Sequence, residues 1–280
     1  MSLVQAILRG HERRGTSNMW TLYDFAGYAG KPTILGPGIR KGFMLWEAQF
    51  FPSADHSQLP VAGALTAVGN YALSQQLPVG TPFCIDIESW RSYTVGGGDT
   101  ISMDDAKVAV QKYVDTIRGV KQAAPSLEFG FFGAALPMED GFYAISKSPP
   151  HSDLRGAALQ KMVLHRKIAA ESDILFPSCY AYSPDSAEWR ASFALQMDLC
   201  RQLSSSCKVI PFLWPQYPGP TPQIGGQFVS GDMWRGMLDA CFEQADGAAI
   251  YGESSTTWAS AYAQYWWPET QRFVIDHHLI

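Results

Sequence analysis

The sequence predicts an α/β fold in which the 280 residues form one domain, a TIM-like (β/α) barrel spanning positions 1–280. Three observations predict it. Short apolar runs alternate with helix-length segments along the whole chain, no linker or shift in composition divides it, and the conspicuous loops after Glu88, Trp214 and Tyr251 each follow a strand candidate. Strand-helix-strand alternation argues for a parallel sheet. Seven strand candidates in one unit, with loops enlarged at strand C-termini, suit a closed barrel better than an open sheet.

In chain order, Met19 to Phe25 (MWTLYDF) is the first strand, and Lys41 to Phe51 (KGFMLWEAQFF) the second, ended by Pro52. Leu59 to Gln76 carries small and apolar residues at helical spacing, with Pro60 suited to a helix start. Pro82 to Glu88 (PFCIDIE) is the third strand, and a loop with Gly96-Gly97-Gly98 follows. Ser102 with Asp105 three positions on resembles a capping box, with Asp in place of the usual Glu. It opens a helix over Met103 to Ala123, closed by Pro125, with Val108, Val110, Tyr113, Val114, Ile117 and Val120 near one face. Phe129 to Ala135 is the fourth strand, and a helix around Leu154 to Ala170 leads to the fifth, Ile174 to Tyr182. A helix over Ser186 to Leu203 precedes the sixth strand, Lys208 to Trp214, and its Pro- and Gly-rich loop. A last helix, Asp232 to Gln244, leads to the seventh strand, Gly247 to Tyr251.

Composition narrows the partners. Hydrophobic residues make up 46% of the chain and charged ones 17%, a globular profile with ample core. The net charge of −5 and the lack of a Lys/Arg run argue against nucleic acid, which asks for a basic face. No stretch approaches the length of a membrane span. Nine Trp are many; most must be core, but Trp and Tyr are also the rings that glycan clefts use. Cys84, Cys179, Cys200, Cys207 and Cys241 are odd in number and scattered, with neither CxxC nor Cys/His spacing, so we expect buried thiols and no metal or other cofactor. Unpaired thiols and the lack of a visible signal peptide favour a cytoplasmic location, though a chain trimmed of its leader reads the same way.

The chemistry concentrates on one strand. Side chains alternate along a strand, so Phe83, Ile85 and Ile87 would face the helices while Cys84, Asp86 and Glu88 face the interior, with Trp90 at the next inward position. Two carboxylates this close, partly desolvated, push one pKa upward, as a general acid near neutral pH requires. Glu88, nearer the mouth, is expected to carry the raised pKa, with Asp86 beneath it. A structural ion pair with a neighbouring strand is the competing reading. Glu47 and Glu253 are possible second carboxylates, and His277-His278 at the tail are expected to be exposed. The three glycines lack the lysine of a phosphate loop, and no Gly-x-Ser-x-Gly elbow is present.

Asp86-Ile87-Glu88-Ser89-Trp90-Arg91 resembles the Asp-x-Glu-x-Trp-Arg stretch on the third barrel strand of the hyaluronidase family of glycoside hydrolases. Phe43 to Pro52, Gly130-Phe131-Phe132-Gly133, Pro177-Ser178-Cys179-Tyr180, Pro211 to Trp214 and Gly247 to Gly252 resemble its other strands in order, so the likeness spans roughly Met19 to Gly252. It implies a distorted, seven-stranded barrel and a retaining, substrate-assisted hydrolysis of an N-acetylhexosaminide, an exception to the two-carboxylate rule. In that scheme Glu88 is the general acid/base, Asp86 and Tyr180 hold the acetamido group, and Trp90, Phe132, Trp214, Tyr251 and Glu253 contact an oligosaccharide or polysaccharide. The family's disulfide cysteines have no counterparts, and Tyr251 stands where the family has Trp. An acidic chain is also an awkward host for polyanionic hyaluronan, so the resemblance carries the reaction class and not that substrate. A muramidase-like barrel acting on cell-wall glycan, or an inactive barrel that binds a glycan or protein, are the alternatives.

Overall fold

The structure is a computed structural model that describes residues 20–51, 55–90, 101–133, 163–219, 221 and 223–280. Its strands are β1 (Thr21–Ala26), β2 (Ile39–Lys41), β3 (Phe43–Trp46), β4 (Pro82–Asp86), β5 (Glu128–Phe131), β6 (Ile174–Leu175), β7 (Lys208–Val209), β8 (Phe212–Leu213) and β9 (Gly247–Gly252). The helices are α1 (Glu47–Phe50), α2 (Ala62–Ser74), α3 (Met103–Ala123), α4 (163–171), α5 (Ser186–Leu203), α6 (Gly231–Gln244), α7 (Trp258–Tyr262) and α8 (Trp266–Asp276). All pairs between these strands are parallel: β2-β1-β9-β8, β3-β4-β5 and β6-β7. Parallel bridges from Phe132 to Phe176 and from Ser178 to Phe212 join the three sheets. Gly42 alone separates β2 from β3, and Ile210-Pro211 separates β7 from β8. Strand neighbours in sequence are therefore neighbours in space, and the last strand, β9, pairs with the first in register from Thr21–Gly247 to Ala26–Gly252.

Side-chain alternation sorts the strands into two environments. Phe83 and Ile85 of β4, with Leu45 of β3, pack under α2 and α3. Cys84 of β4 instead joins Phe25, Phe176, Phe212 and Ala249 in an aromatic cluster fed by β1, β4, β6, β8 and β9. Phe212 lies at its middle, 4.8 Å from Phe25, 5.2 Å from Phe132 and 5.6 Å from Phe176 by ring centroids. Gly42 makes room for this packing, because a Cβ there would stand 2.0 Å from the Phe25 ring.

The long helices form where caps and an apolar face agree. Ser102 caps α3 by accepting from Asp105 N at 3.0 Å, and its hydroxyl donates to the Asp105 carboxylate at 2.7 Å. In a standard capping box that acid reaches the N-cap backbone; Asp is one methylene shorter than Glu and takes the hydroxyl instead. The buried face of α3 includes Val110, Tyr113, Val114, Ile117 and Val120, each large side chain contributing about 1.5–3 kcal/mol of burial; Val108, expected with them, is exposed instead, because two residues turn a helix by about 200° from Val110. Asp185 caps α5 and Ser230 caps α6.

Several boundaries differ from the sequence expectation. The second strand ends at Trp46, and Glu47–Phe50 is a helical turn in which Gln49 Oε1 accepts from Trp46 N at 2.7 Å. The fifth and sixth strands have regular pairing only over short segments, because Pro177 and Pro211 cannot donate to a ladder. Of the expected helix at 154–170 only 163–171 lies among the described residues, and the Gly96–Gly98 loop lies outside them. His277 is half-buried against Phe242, with ring centroids 4.0 Å apart, so only His278 of that pair is exposed. All five cysteines are buried thiols outside any disulfide. Among the described residues no helix is long and apolar enough to cross a membrane, and no cluster of His, Cys, Asp and Glu could hold a metal.

Candidate active site

The third strand of the sequence, β4, lies between β3 and β5 with Trp46 opposite Asp86 and Met44 opposite Cys84. Asp86 is its last residue, at the C-terminal end. Beyond it the chain is held from outside: the Tyr113 hydroxyl of α3 lies 2.8 Å from both the Ile87 and the Trp90 carbonyl oxygens. A phenol on the underlying helix thus fixes the four-residue exit that carries Glu88.

Asp86 and Glu88 share a cavity of about 290 Å³ with Phe132, Tyr180, Trp214, Tyr251 and Glu253. These residues come from the ends of β4, β5, β6, β8 and β9, so strand order alone gathers them. Three rings make the wall: Tyr251 stacks on Tyr180 at 5.7 Å and 19°, and Trp214 meets them edge-on at 5.4 Å each. Phe132 stands 6.0 Å from Tyr180. Beneath them the aromatic cluster around Phe212 closes the floor.

The electrostatics follow from this enclosure. Burial, then the charge of Glu88, then that of Glu47, push the Asp86 carboxyl from 3.8 up to about 7. Its Oδ1 is buried and finds no hydrogen-bond partner. Burial and then Glu47 also raise Glu88, but that residue stands exposed at the mouth, where solvent screens such effects, and its shift weighs less. The larger perturbation therefore falls on Asp86, one step deeper, and not on Glu88 as the sequence suggested. The Tyr251 hydroxyl is held neutral by burial and by the charges of Glu253, Asp86 and Glu88, which leaves it a donor. A carboxyl titrating near neutrality beside an ionisable partner and neutral donors can exchange a proton with a bound oxygen.

Trp90 requires a correction. It does not line the cavity: it is buried on the helix side, edge-on to Tyr113 at 5.2 Å and to Phe51 at 5.7 Å. Its indole N–H donates to His56 O at 2.7 Å. Alternation applies only while the chain is extended, and β4 stops at Asp86; the bend at Ser89-Trp90 returns the ring outward. Glu47, at the start of α1, approaches His56 Nδ1 at 3.2 Å, and the same nitrogen is 3.2 Å from Ser89 Oγ. Glu253 sits at the rim, accepting from Ser255 Oγ at 3.2 Å.

The sequence reading missed Met44, Trp46, Tyr182 and Pro218, which also line the cavity. Met44 and Trp46 were findable, since period-two counting along FMLW puts them on one face. Tyr113 was legible only as part of an apolar helix face, because nothing local shows that its hydroxyl meets β4.

No protein-family model and no curated protein matches the sequence. Among solved structures, bee venom hyaluronidase superposes with a TM-score of 0.62 at 14% identity, over 93% of this chain and 98% of that one. The same enzyme in complex with a hyaluronic acid tetramer gives 0.57 at 16% identity, again over 93% and 98%. At that identity the likeness is one of fold: this chain has an α/β architecture of parallel strands and helices, shared along nearly its whole length with bee venom hyaluronidase.

Proposed function

We propose that this protein is a glycoside hydrolase built on one distorted, seven-stranded closed barrel, acting on a glycan that contains N-acetylhexosamine. The unbroken succession of strand neighbours from β1 round to β9 supports closure once β2 with β3, and β7 with β8, are each taken as one strand. The observation that carries the functional reading is the Asp86/Glu88 pair at a strand C-terminus inside a cavity walled by Tyr180, Trp214 and Tyr251. Catalytic groups of such barrels stand at that end.

Glu88, at the mouth, protonates the glycosidic oxygen and later deprotonates water. The substrate's own acetamido oxygen attacks the anomeric carbon, giving retention without a protein nucleophile. Asp86 and Tyr180 hold the acetamido group, and the rings of Trp214 and Tyr251 take the sugar faces. The bound tetramer of the bee enzyme supports an oligosaccharide as ligand. The described lining here has three carboxylates, Asp86, Glu88 and Glu253, and no cation, which argues for a neutral glycan over hyaluronan.

Product release from a panel of N-acetylated oligosaccharides tests the reading, with Glu88→Gln beside the wild type. The variant is expected to lose roughly 10²–10⁴-fold in kcat with little change in binding. Unchanged activity in Glu88→Gln would overturn the assignment. Efficient cleavage of a non-acetylated glycoside would replace substrate assistance with a protein nucleophile.

A further inference from the structure

The exit that carries Glu88 is held by Tyr113 of α3 and also by residues 55–57, a segment that is not part of the cavity lining. The Trp90 indole N–H donates to His56 O at 2.7 Å, and Lys112 Nζ of α3 donates to Ser57 O. The same ammonium lies 5.7 Å over the Trp90 ring. The backbone around His56 is therefore fastened both to the far end of the exit and to the underlying helix. Phe51 supports its side chain from below, with the rings stacked at 4.8 Å and 26°. The imidazole thus has a defined place.

That place puts one nitrogen against two partners. His56 Nδ1 is 3.2 Å from the hydroxyl of Ser89, the residue next to Glu88, and 3.2 Å from Glu47 Oε1 at the start of α1. A hydroxyl can donate to a bare ring nitrogen or accept from a protonated one, so the Ser89 bond survives either state of the ring. The Glu47 oxygen is buried and makes no hydrogen bond; its contact with the ring is one of charge and proximity. The other charges near His56 are Asp55 of its own segment and Lys112 of α3. Glu47 in turn acts on the acidic pair, since its charge raises both Glu88 and Asp86, and it acts on Tyr113 as well. An enclosed carboxylate oxygen without a hydrogen bond, set behind two further carboxyls, is a cost to the fold. Arrangements of this kind gather at sites that tune a proton.

We propose that His56 and Glu47 are positioning residues for the Glu88 acid: Glu47 supplies negative charge behind it, and His56 keeps Glu47 in place while tethering the Ser89 hydroxyl. The inference rests on the glycosidase reading above and adds to it two residues outside the sugar and the reacting atoms. Tyr113 holds the Ile87 and Trp90 carbonyls, and His56 holds the Ser89 side chain. The residues flanking Glu88 are thereby restrained, and the acid is presented to the cavity in one orientation. Loss of such a restraint is felt in turnover more than in binding, because a general acid acts in the transition state.

The test measures kcat and KM on the full protein, with the N-acetylated oligosaccharide that the wild type hydrolyses fastest. His56→Phe keeps the stack on Phe51 and removes the nitrogen; it is expected to lose about 10-fold in kcat, the usual worth of one neutral hydrogen bond, with KM unchanged. His56→Asn, whose amide can stand where Nδ1 does, is expected to recover most of that loss. Glu47→Gln is expected to move the alkaline limb of the kcat profile to lower pH, because the charge that raises Glu88 and Asp86 is gone. A wild-type kcat in His56→Phe, an equal loss in His56→Asn, or an alkaline limb that stays in place in Glu47→Gln would each overturn the proposal. Should His56→Phe fail to fold, Ser89→Ala releases the tether from its other end and should show the same fall in kcat; unchanged turnover there would overturn the proposal too. Glu88→Gln, run alongside, separates the two levels. If it is as active as the wild type, or if the wild type cleaves no member of the panel, the glycosidase reading falls and this inference with it. If it is inactive while the His56 and Ser89 variants turn over normally, the inference alone falls.

Discussion

Replacing Asp86 by asparagine should raise the stability of this protein at pH 8 and change it far less at pH 4. The carboxyl ends β4 with one buried oxygen that has no hydrogen-bond partner, and burial followed by Glu88 and Glu47 holds its pKa at about 7 instead of 3.8. A group whose folded pKa is raised contributes stability that is fully present below its unfolded pKa and is lost as pH rises through the folded one. The window here is therefore pH 4 to about 7. At about 1.4 kcal/mol per pH unit, the interval between 3.8 and about 7 amounts to on the order of 4 kcal/mol lost by pH 8. Asparagine cannot ionise, so the variant escapes that loss, less whatever its amide group costs in the same place; a net gain of about 2–3 kcal/mol at pH 8 is the expected result. Urea denaturation of both proteins at pH 4 and pH 8 measures it, provided the slopes agree. A variant that is less stable than the wild type at pH 8 would show that the ionised carboxylate is favourably paired. That result would undo the argument that Asp86 and Glu88 crowd each other.

Two further expectations concern the surroundings. Trp90→Phe should cost about 1–2 kcal/mol by leaving His56 O without its donor, and should leave KM unchanged because the ring is outside the cavity; a raised KM without loss of stability would return Trp90 to the cleft. Gly42→Ala should cost about 1–3 kcal/mol or more in urea denaturation, since the new methyl would stand 2.0 Å from the Phe25 ring, and an unaltered midpoint would contradict the tight packing of the interior.

What the sequence showed, and what it hid, follows from the range of the forces involved. The α3 and α5 boundaries were readable because Ser102 and Asp185 cap them and each helix has an apolar stripe. The acidic pair was readable because Asp86 ends a regular strand and Glu88 follows only two residues on, before the chain bends at Ser89-Trp90. The run Lys41 to Phe51 misled because it is apolar almost throughout, so period-two and helical spacing cannot be told apart, and Gln49 settles the matter through a local bond to Trp46 N. Trp90 misled because alternation was extended past the end of the strand. Neither α7 nor α8 was anticipated: Pro268 looks like a breaker inside an aromatic run, yet it occupies the first turn of α8, where a missing N–H costs nothing. The meeting of Tyr180, Trp214 and Tyr251 depends on strand order and could not be read from any one segment.

The hydroxyl of Tyr113 ties the outer layer of the molecule to its mouth. Because one phenol on α3 clasps both ends of the Ile87–Trp90 exit, the position of Glu88 is set by a helix that never meets the cavity. Any slippage of that helix, from heat or from a substitution on its hidden side, is transmitted to the Glu88 carboxyl as a displacement. If the proposed hydrolysis is the activity, damage to the packing of α3 would register first as lost turnover, in a protein whose spectrum still looked native.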